Sequence, residues 1–197
     1  MPTQGKFIVI YGINNLGKST QAKMLVERIE GANKRAMHIK YPLYELEPSG
    51  PLINEYLRKQ NPYSLSPREA QMLYAFNRTH FESTLKAYLA EGINVVAEDY
   101  TGTGLAWGKG AGVDGEFLTR MNCQLLHEDV AFLIDGNRFT ESKEAGHAHE
   151  SDDDLTTRVR VVHLELAKEF GWHVINANNS REEIRSAIWH IVAPLVS

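Results

Sequence analysis

Residues 12–19 have the types and spacing that bind polyphosphate. They read Gly-Ile-Asn-Asn-Leu-Gly-Lys-Ser and directly follow the apolar run Phe7–Tyr11. The spacing Gly-x-x-x-x-Gly-Lys-Ser is that of a P-loop, whose backbone N–H groups turn toward phosphate oxygens. We expect Lys18 to reach the β- and γ-phosphates and the hydroxyl of Ser19 to ligate Mg²⁺. The segment therefore predicts a site for a nucleoside triphosphate with Mg²⁺.

The loop and the start of the following helix supply most of the predicted triphosphate contacts. A helix that begins at such a loop also points its positive N-terminal end at the phosphates. The residues expected to bind the triphosphate here are Gly12, Asn14, Asn15, Leu16, Gly17, Lys18, Ser19 and Thr20. This motif alone does not separate a kinase from a hydrolase or a switch protein.

Two adjacent carboxylates, Glu98 and Asp99, follow the apolar run 93–97. At the end of a buried strand they would lie at the carboxyl edge of the sheet, where α/β proteins bind their ligands. A carboxylate in that place holds Mg²⁺ through water or orients the acceptor oxygen. We therefore predict Ser19 and Glu98 as the Mg²⁺ site. The alternative is an edge acid that only caps the next turn.

Tyr74 and Arg78 are candidates for binding a second substrate. They are four residues apart on a predicted helix and therefore share one face. The tyrosine offers a flat ring for a nucleobase, and the arginine offers a planar cation for phosphate. By themselves the same two residues also fit a core tyrosine and a surface ion pair. Tyr41-Pro42 ends another predicted strand, at the same edge of the sheet.

Short apolar segments alternate with helical patterns along the chain. The predicted strands are Phe7–Tyr11, 36–41, 93–97, 130–134 and His173–Asn176. The predicted helices are 19–30, 67–90, 152–170 and 180–192, the second and fourth opening with capping boxes at Ser66 and Ser180. Because nearly continuous apolar strands are covered on both faces, we predict an α/β fold with a five-stranded parallel sheet between helices. We expect one domain over 1–197, with the glycine-rich stretch 102–115 irregular.

Composition narrows the class of partner. The 197 residues carry a formal net charge of −4 with a pI near 6.1, so we expect no nucleic-acid binding. No apolar run approaches the roughly 18 residues of a membrane span, and the N-terminus lacks the apolar region of a signal peptide. The one cysteine, Cys123, excludes an internal disulfide. These features favour a cytoplasmic location without a membrane partner.

Five segments resemble the thymidylate kinases, a family of nucleoside monophosphate kinases, in the order that the family has them. They are 7–21, 47–50, 65–82, 95–108 and 158–178. The resemblance implies a P-loop kinase fold and ATP as the phosphate donor. It further implies in-line transfer of the γ-phosphoryl group to a nucleoside 5′-monophosphate, with dTMP as the first choice. A homodimer is implied as well.

The resemblance also assigns roles to individual residues. Those with catalytic roles would be Lys18, Arg78, Glu98 and Asp99. The acceptor would be bound by Tyr41, Pro42, Tyr74, Arg78, Tyr100, Gly104 and Trp107. A lid at about 136–151 would bring Arg138 and Lys143 over the triphosphate, and Asn178 would lie beside the adenine.

Several positions depart from the family pattern. The family carries an arginine where Asp99 stands, and many bacterial members carry one where Leu46 stands. A base-reading polar residue is replaced by Gly108, and Asn14 replaces an acid that meets the acceptor sugar. A dianionic acceptor phosphate needs compensating charge, so we expect other cations to take part. The candidates are Lys40, Arg68 and Lys109.

The missing cations leave two alternatives open. A deoxynucleoside kinase would phosphorylate a nucleoside 5′-hydroxyl, with Glu98 as the base, and its acceptor carries no phosphate. A nucleotide-binding protein without transfer activity would keep Lys18 and Ser19 only to hold ATP. Arg78 lies on the motif of the monophosphate kinases and favours that class.

Overall fold

A parallel sheet forms the centre of the computed structural model, which describes residues 4–137 and 153–197. Its strands in chain order are β1 (Phe7–Tyr11), β2 (Ala36–Lys40), β3 (Asn94–Glu98), β4 (Val130–Asp135) and β5 (His173–Asn176). They lie in the order β2-β3-β1-β4-β5, and every pairing is parallel. The predicted five-stranded parallel α/β sheet is therefore confirmed, with one-residue shifts at the ends of β2, β3 and β4.

Helices occupy most of the connections between the strands. In the described residues they are α1 (Lys18–Gly31), α2 (Ser49–Arg58), α3 (Pro67–Ala90), α4 (Thr101–Gly110), α5 (Gly115–Asn122), α6 (Asp153–Phe170) and α7 (Arg181–Val192). Both predicted capping boxes form, with Ser66 opening α3 and Ser180 opening α7. Helices α2, α4 and α5 were not predicted. No helix in the described ranges is long and apolar enough to cross a bilayer.

The glycine-rich stretch 102–115, expected to be irregular, is mostly helical. α4 runs to Gly110, and α5 begins at Gly115. A Cβ atom on Gly102 would lie 2.4 Å from Trp172, and one on Gly110 would lie 2.6 Å from Val159. The expectation was wrong because these glycines let α4 pack closely on its neighbours, a tertiary reason that local sequence does not reveal.

The order of the strands places the P-loop at the middle of the sheet. β1 lies between β3 and β4, and the loop follows it directly. The chain runs from β1 to β2 on one side and later crosses to β4 on the other, so a crevice opens at the carboxyl end of β1. In the register of β2 and β3, Lys40 is opposite Glu98. Lys40 and Glu98 are therefore neighbours at this edge.

A buried asparagine joins the segment after β2 to α3. Asn77 accepts a hydrogen bond from the backbone N–H of Leu43 (2.9 Å) and donates to the carbonyl of Leu43 (3.0 Å). Its Nδ2 also donates to the hydroxyl of Ser49, the first residue of α2, at 2.9 Å. These three bonds hold the loop after β2 and the start of α2 against α3.

Candidate active site

The P-loop closes around the ammonium group of Lys18. Gly12 (φ 143°) and Gly17 (φ 83°) adopt left-handed backbone conformations that favour glycine, and Asn15 (φ 65°) adopts one that asparagine tolerates. Lys18 is 5% exposed, and its Nζ donates to the carbonyls of Gly12 and Ile13 at 2.9 Å each. The sequence between the two glycines thus supplies the backbone that the loop requires.

Glu98 ends β3, and its carboxylate lies among cations. Oε1 accepts a hydrogen bond from Nζ of Lys40 at 3.0 Å, and the carboxylate also accepts one from the hydroxyl of Ser19. Burial alone would raise the pKa of Glu98, but the nearby ammonium groups of Lys18 and Lys40 and the hydrogen bonds lower it below its ordinary value. The carboxylate of Glu98 is therefore ionised and lies beside the hydroxyl of Ser19. Carboxylate and hydroxyl oxygens are ligand types that suit Mg²⁺.

Asp99 connects the P-loop with the space beside it. Its Oδ1 lies 3.9 Å from Nζ of Lys18 and accepts a hydrogen bond from the hydroxyl of Thr103 at 2.8 Å. Burial raises the pKa of this carboxyl, an effect that Lys18 opposes and the neighbouring Glu98 strengthens. The backbone of Asp99 is left-handed, with φ 62°. This conformation occurs where the surroundings fix the residue.

A cavity of about 150 Å³ adjoins the two carboxylates. The residues predicted for the acceptor all line it: Tyr41, Pro42, Tyr74, Arg78, Tyr100, Gly104 and Trp107. Glu98 and Asp99 form part of the same wall, as does Asn14, which was predicted at the triphosphate. The structure thus brings together side chains from β2, α3, β3 and α4 beside the P-loop.

The wall of this cavity contains unsatisfied polar atoms. Five such buried atoms have no hydrogen-bond partner within residues 4–137 and 153–197: the hydroxyls of Tyr41 and Tyr100, Oε1 of Gln71, Nε of Arg78 and Oε2 of Glu98. Buried polar groups in folded proteins are nearly always hydrogen-bonded. Their concentration in one cavity indicates that a polar ligand completes the site.

Arg78 places a cation in the wall of the cavity. It is 4% exposed, and its Nη2 donates to Oδ1 of Asn122 at 2.9 Å. Burial lowers its pKa to about 10, so the guanidinium remains charged at neutral pH. Tyr74, one turn before it on α3, meets the ring of Tyr56 edge-on at 6.4 Å between ring centroids. The α3 face predicted from spacing therefore does line the cavity.

Of the three cations considered as replacements, only Lys40 lines the cavity. The guanidinium of Arg68 lies over the ring of Phe117 at 4.0 Å instead. Sequence reasoning missed Arg58, at the end of α2, whose guanidinium lies 4.7 Å from the centroid of Tyr44 in the cavity wall. No local signal identified Arg58, because α2 itself was not predicted.

Gln71 was missed although a signal existed. It precedes Tyr74 by three residues and Arg78 by seven, so all three share one face of α3. Its side chain is 5% exposed and lines the cavity.

The remaining predicted residues lie away from this cavity. Asn178 accepts a hydrogen bond from the backbone N–H of Asn137 at 2.9 Å. Leu16 packs into the hydrophobic core. Arg138, Lys143 and nearly all of the proposed lid lie outside the described residues. In the described parts of the chain no group of three or more His, Cys, Asp or Glu side chains is placed to hold a metal ion.

The P-loop after a central strand, the strand-end carboxylates and the adjoining polar cavity define a P-loop nucleotide kinase. A sequence model of the thymidylate kinase family matches residues 10–188. The chain belongs to the thymidylate kinase family, which confirms the predicted family and enzyme class.

Individual relatives agree with this placement. Thymidylate kinase of Plasmodium falciparum is 29% identical over 188 residues, covering 94% of this chain and 88% of that protein. The probable thymidylate kinase of Pyrococcus abyssi is 30% identical over 199 residues, covering 96% of each chain. The solved structure of thymidylate kinase from Candida albicans is similar in fold, with a TM-score of 0.81 over 98% of this chain and 92% of that chain, at 22% identity.

Proposed function

We propose that this protein is a dTMP kinase, which transfers the γ-phosphoryl group of ATP to the phosphate of dTMP and releases ADP and dTDP. The observation that carries the proposal is the junction between two sites. Asp99 lies 3.9 Å from the P-loop lysine Lys18 and also lines the second cavity. A donor phosphate at the loop and an acceptor in the cavity would therefore meet at one point, as in-line transfer requires.

The donor side is supported by the P-loop geometry. On binding ATP, Lys18 would exchange the carbonyls of Gly12 and Ile13 for the β- and γ-phosphate oxygens. Ser19 and Glu98 would hold Mg²⁺, which supplies neutralisation of the polyphosphate charge. Arg138 and Lys143 over the triphosphate and Asn178 beside the adenine remain predictions.

The acceptor side is supported by the distribution of charge around the cavity. Tyr74 on α3 would meet the base. Arg78, which its residue type had suggested for the phosphate, lies one turn further on the same helix face and would meet the base as well. Lys40 and Arg58 would face the acceptor phosphate. These two cations would supply the positive charge that the family pattern places at positions 99 and 46, where this chain has Asp99 and Leu46. Hydrogen bonds to charged groups contribute about 1.5–3 kcal/mol each, enough to bind a dianion.

The same charges discriminate between the proposed function and a deoxynucleoside kinase. Three basic side chains, Lys40, Arg58 and Arg78, line the cavity. They place positive charge around the acceptor cavity that a dianionic phosphate would use and an uncharged nucleoside would not, so the site favours a monophosphate acceptor.

The proposal is tested by coupled measurement of ADP release with dTMP, dUMP, dCMP, thymidine and other nucleosides as acceptors. We expect turnover with dTMP and none with thymidine. Thymidine as the sole substrate would establish the deoxynucleoside kinase, and ATP binding without any turnover would establish a non-catalytic protein. Lys18→Ala should abolish turnover, whereas Lys23→Ala, an exposed lysine on the same helix, should leave it unchanged.

We further propose that the enzyme is a cytoplasmic homodimer. Met72 and Phe76 lie one turn apart on α3 and are 51% and 46% exposed. Phe76 stacks on His80, one turn further along α3, with 5.8 Å between ring centroids. Burying Met72 and Phe76 against a second copy would remove them from water. Light scattering should give twice the chain mass, and Met72→Glu should lower it to that of a monomer.

A further inference from the structure

Position 108, where the family pattern has a base-reading side chain, is blocked by its surroundings. A Cβ atom on Gly108 would lie 2.6 Å from Cδ1 of Leu118 and 3.3 Å from Cγ of Gln71. Side-chain carbon atoms do not approach to 2.6 Å, so no side chain fits there without displacing Leu118. The space beside the α4 backbone is instead occupied from the opposite helix, α3, by Gln71.

The amide of Gln71 is presented together with the guanidinium of Arg78. Oε1 of Gln71 and Nη2 of Arg78 lie 3.3 and 2.9 Å from a single point, the position that a Cβ atom on Gly104 would occupy. Oε1 is buried and has no hydrogen-bond partner in the described part of the chain. A hydrogen-bond acceptor and a cationic donor thus converge beside Gly104, which lines the cavity.

An acceptor beside a donor matches a base edge that carries a ring N–H beside a carbonyl. Among the pyrimidines, thymine and uracil carry that pair as N3–H and O4. Cytosine reverses it, with an unprotonated N3 beside an amino group. The amide of Gln71 would have to turn its Nε2 to that N3, and Arg78, which can only donate, would face the amino group. A site that hydrogen-bonds one edge rejects an edge with the reversed pattern, because its own buried polar groups lose their partners.

We propose that Oε1 of Gln71 accepts the N3–H of the acceptor base while Arg78 donates to its 4-carbonyl. Gln71 is then the specificity-determining residue that takes the place of a side chain at position 108. This assignment rests on the proposed function and names the group through which the enzyme selects its base.

The first test removes the amide and keeps the length of the side chain. In Gln71→Met we expect kcat/KM for dTMP to fall about tenfold, as for the loss of one hydrogen bond to a buried group, while kcat/KM for dCMP stays constant. The preference for dTMP over dCMP should shrink by the same factor. The matched control is Gln124→Met, an exposed glutamine that does not line the cavity and should keep the wild-type preference. An unchanged preference in folded Gln71→Met overturns the assignment.

The second test changes the nucleotide and needs no variant. The unaltered enzyme should use N3-methyl-dTMP at least about tenfold less well than dTMP, because the methyl group removes the N–H that Gln71 accepts. Equal use of both nucleotides overturns the assignment even if Gln71→Met does not fold. Turnover of dTMP with unchanged base preference refutes the role of Gln71 alone, whereas no turnover of any monophosphate refutes the proposed function as well.

Discussion

We predict that the added methyl group of Gly104→Ala weakens acceptor binding much more than it destabilises the fold. Gly104 lies inside α4, where alanine is more favourable than glycine by about 0.5–1 kcal/mol. Its new Cβ would lie 2.9 Å from Nη2 and 3.3 Å from Nη1 of Arg78. Unstrained contacts to carbon begin at about 3.5 Å, so the guanidinium must move by a few tenths of an ångström. That shift moves the guanidinium from the position in which it lines the cavity and donates to Asn122 at 2.9 Å.

The expected loss of activity follows from the hydrogen bond that the displaced guanidinium no longer donates to the acceptor. One hydrogen bond from a charged group is worth about 1.5–3 kcal/mol, so Gly104→Ala should lower kcat/KM for dTMP about 10- to 160-fold. Overpacking costs about 1–3 kcal/mol, which the helix preference partly offsets, so the free energy of unfolding should fall by about 0–2.5 kcal/mol.

Two assays together check this prediction. Coupled ADP release gives the KM values for dTMP and ATP, and urea denaturation gives the free energy of unfolding. We expect the KM for ATP to stay constant. The control is Gly31→Ala at the end of α1, where a new Cβ atom meets nothing within 4 Å. An unchanged KM for dTMP, or equal losses for dTMP and ATP, would refute the reasoning.

Three further predictions concern other residues. Arg58→Ala should weaken dTMP binding about tenfold in calorimetry but leave thymidine binding unchanged, because only dTMP carries the phosphate; equal losses would contradict this. Glu98→Gln should raise the Mg²⁺ concentration for half-maximal activity about tenfold or more, since it removes an anionic oxygen beside Ser19, and an unshifted Mg²⁺ titration would exclude a role in metal binding. His163 is 1% exposed, and burial together with the charge of Lys18 lowers its pKa to about 3. Between about pH 6.5 and pH 3 the imidazole is therefore protonated in the unfolded chain but not in the folded protein. As the pH is lowered through that range, the free energy of unfolding falls by up to about 1.4 kcal/mol per pH unit because of this group. His163→Leu should flatten that slope in urea unfolding at pH 7 and pH 5; an unaltered slope would contradict it.

The parts of the fold that could be predicted are those determined by residues close together in the sequence. The P-loop is defined by glycines and a lysine within eight consecutive positions, and its φ angles at Gly12 and Gly17 follow from residue type. The capping box at Ser66 is equally local. The carboxylates Glu98 and Asp99 were predicted at the sheet edge because all parallel strands present their carboxyl ends there.

The parts that were missed depend on tertiary contacts. The glycines of α4 look like loop residues, yet Gly102 and Gly110 are there because Trp172 and Val159 leave no room for a side chain. Arg58 lines the cavity only because α2 folds back onto α3, a contact that no sequence pattern in either helix specifies. The departure at Gly108 was visible in the sequence, but the position of Gln71 beside it follows from the packing of α3 against α4.

The three hydrogen bonds of Asn77 have a consequence for the size of the acceptor that the cavity accommodates. They tie α3, which carries Gln71 and Arg78, to the chain leading into α2, which carries Arg58. Under the proposed function, the side chains for the base and for the phosphate therefore stand on two elements that these hydrogen bonds connect. Under that proposal, the separation of the two elements would set how far the base and the phosphate of an acceptor can lie from each other.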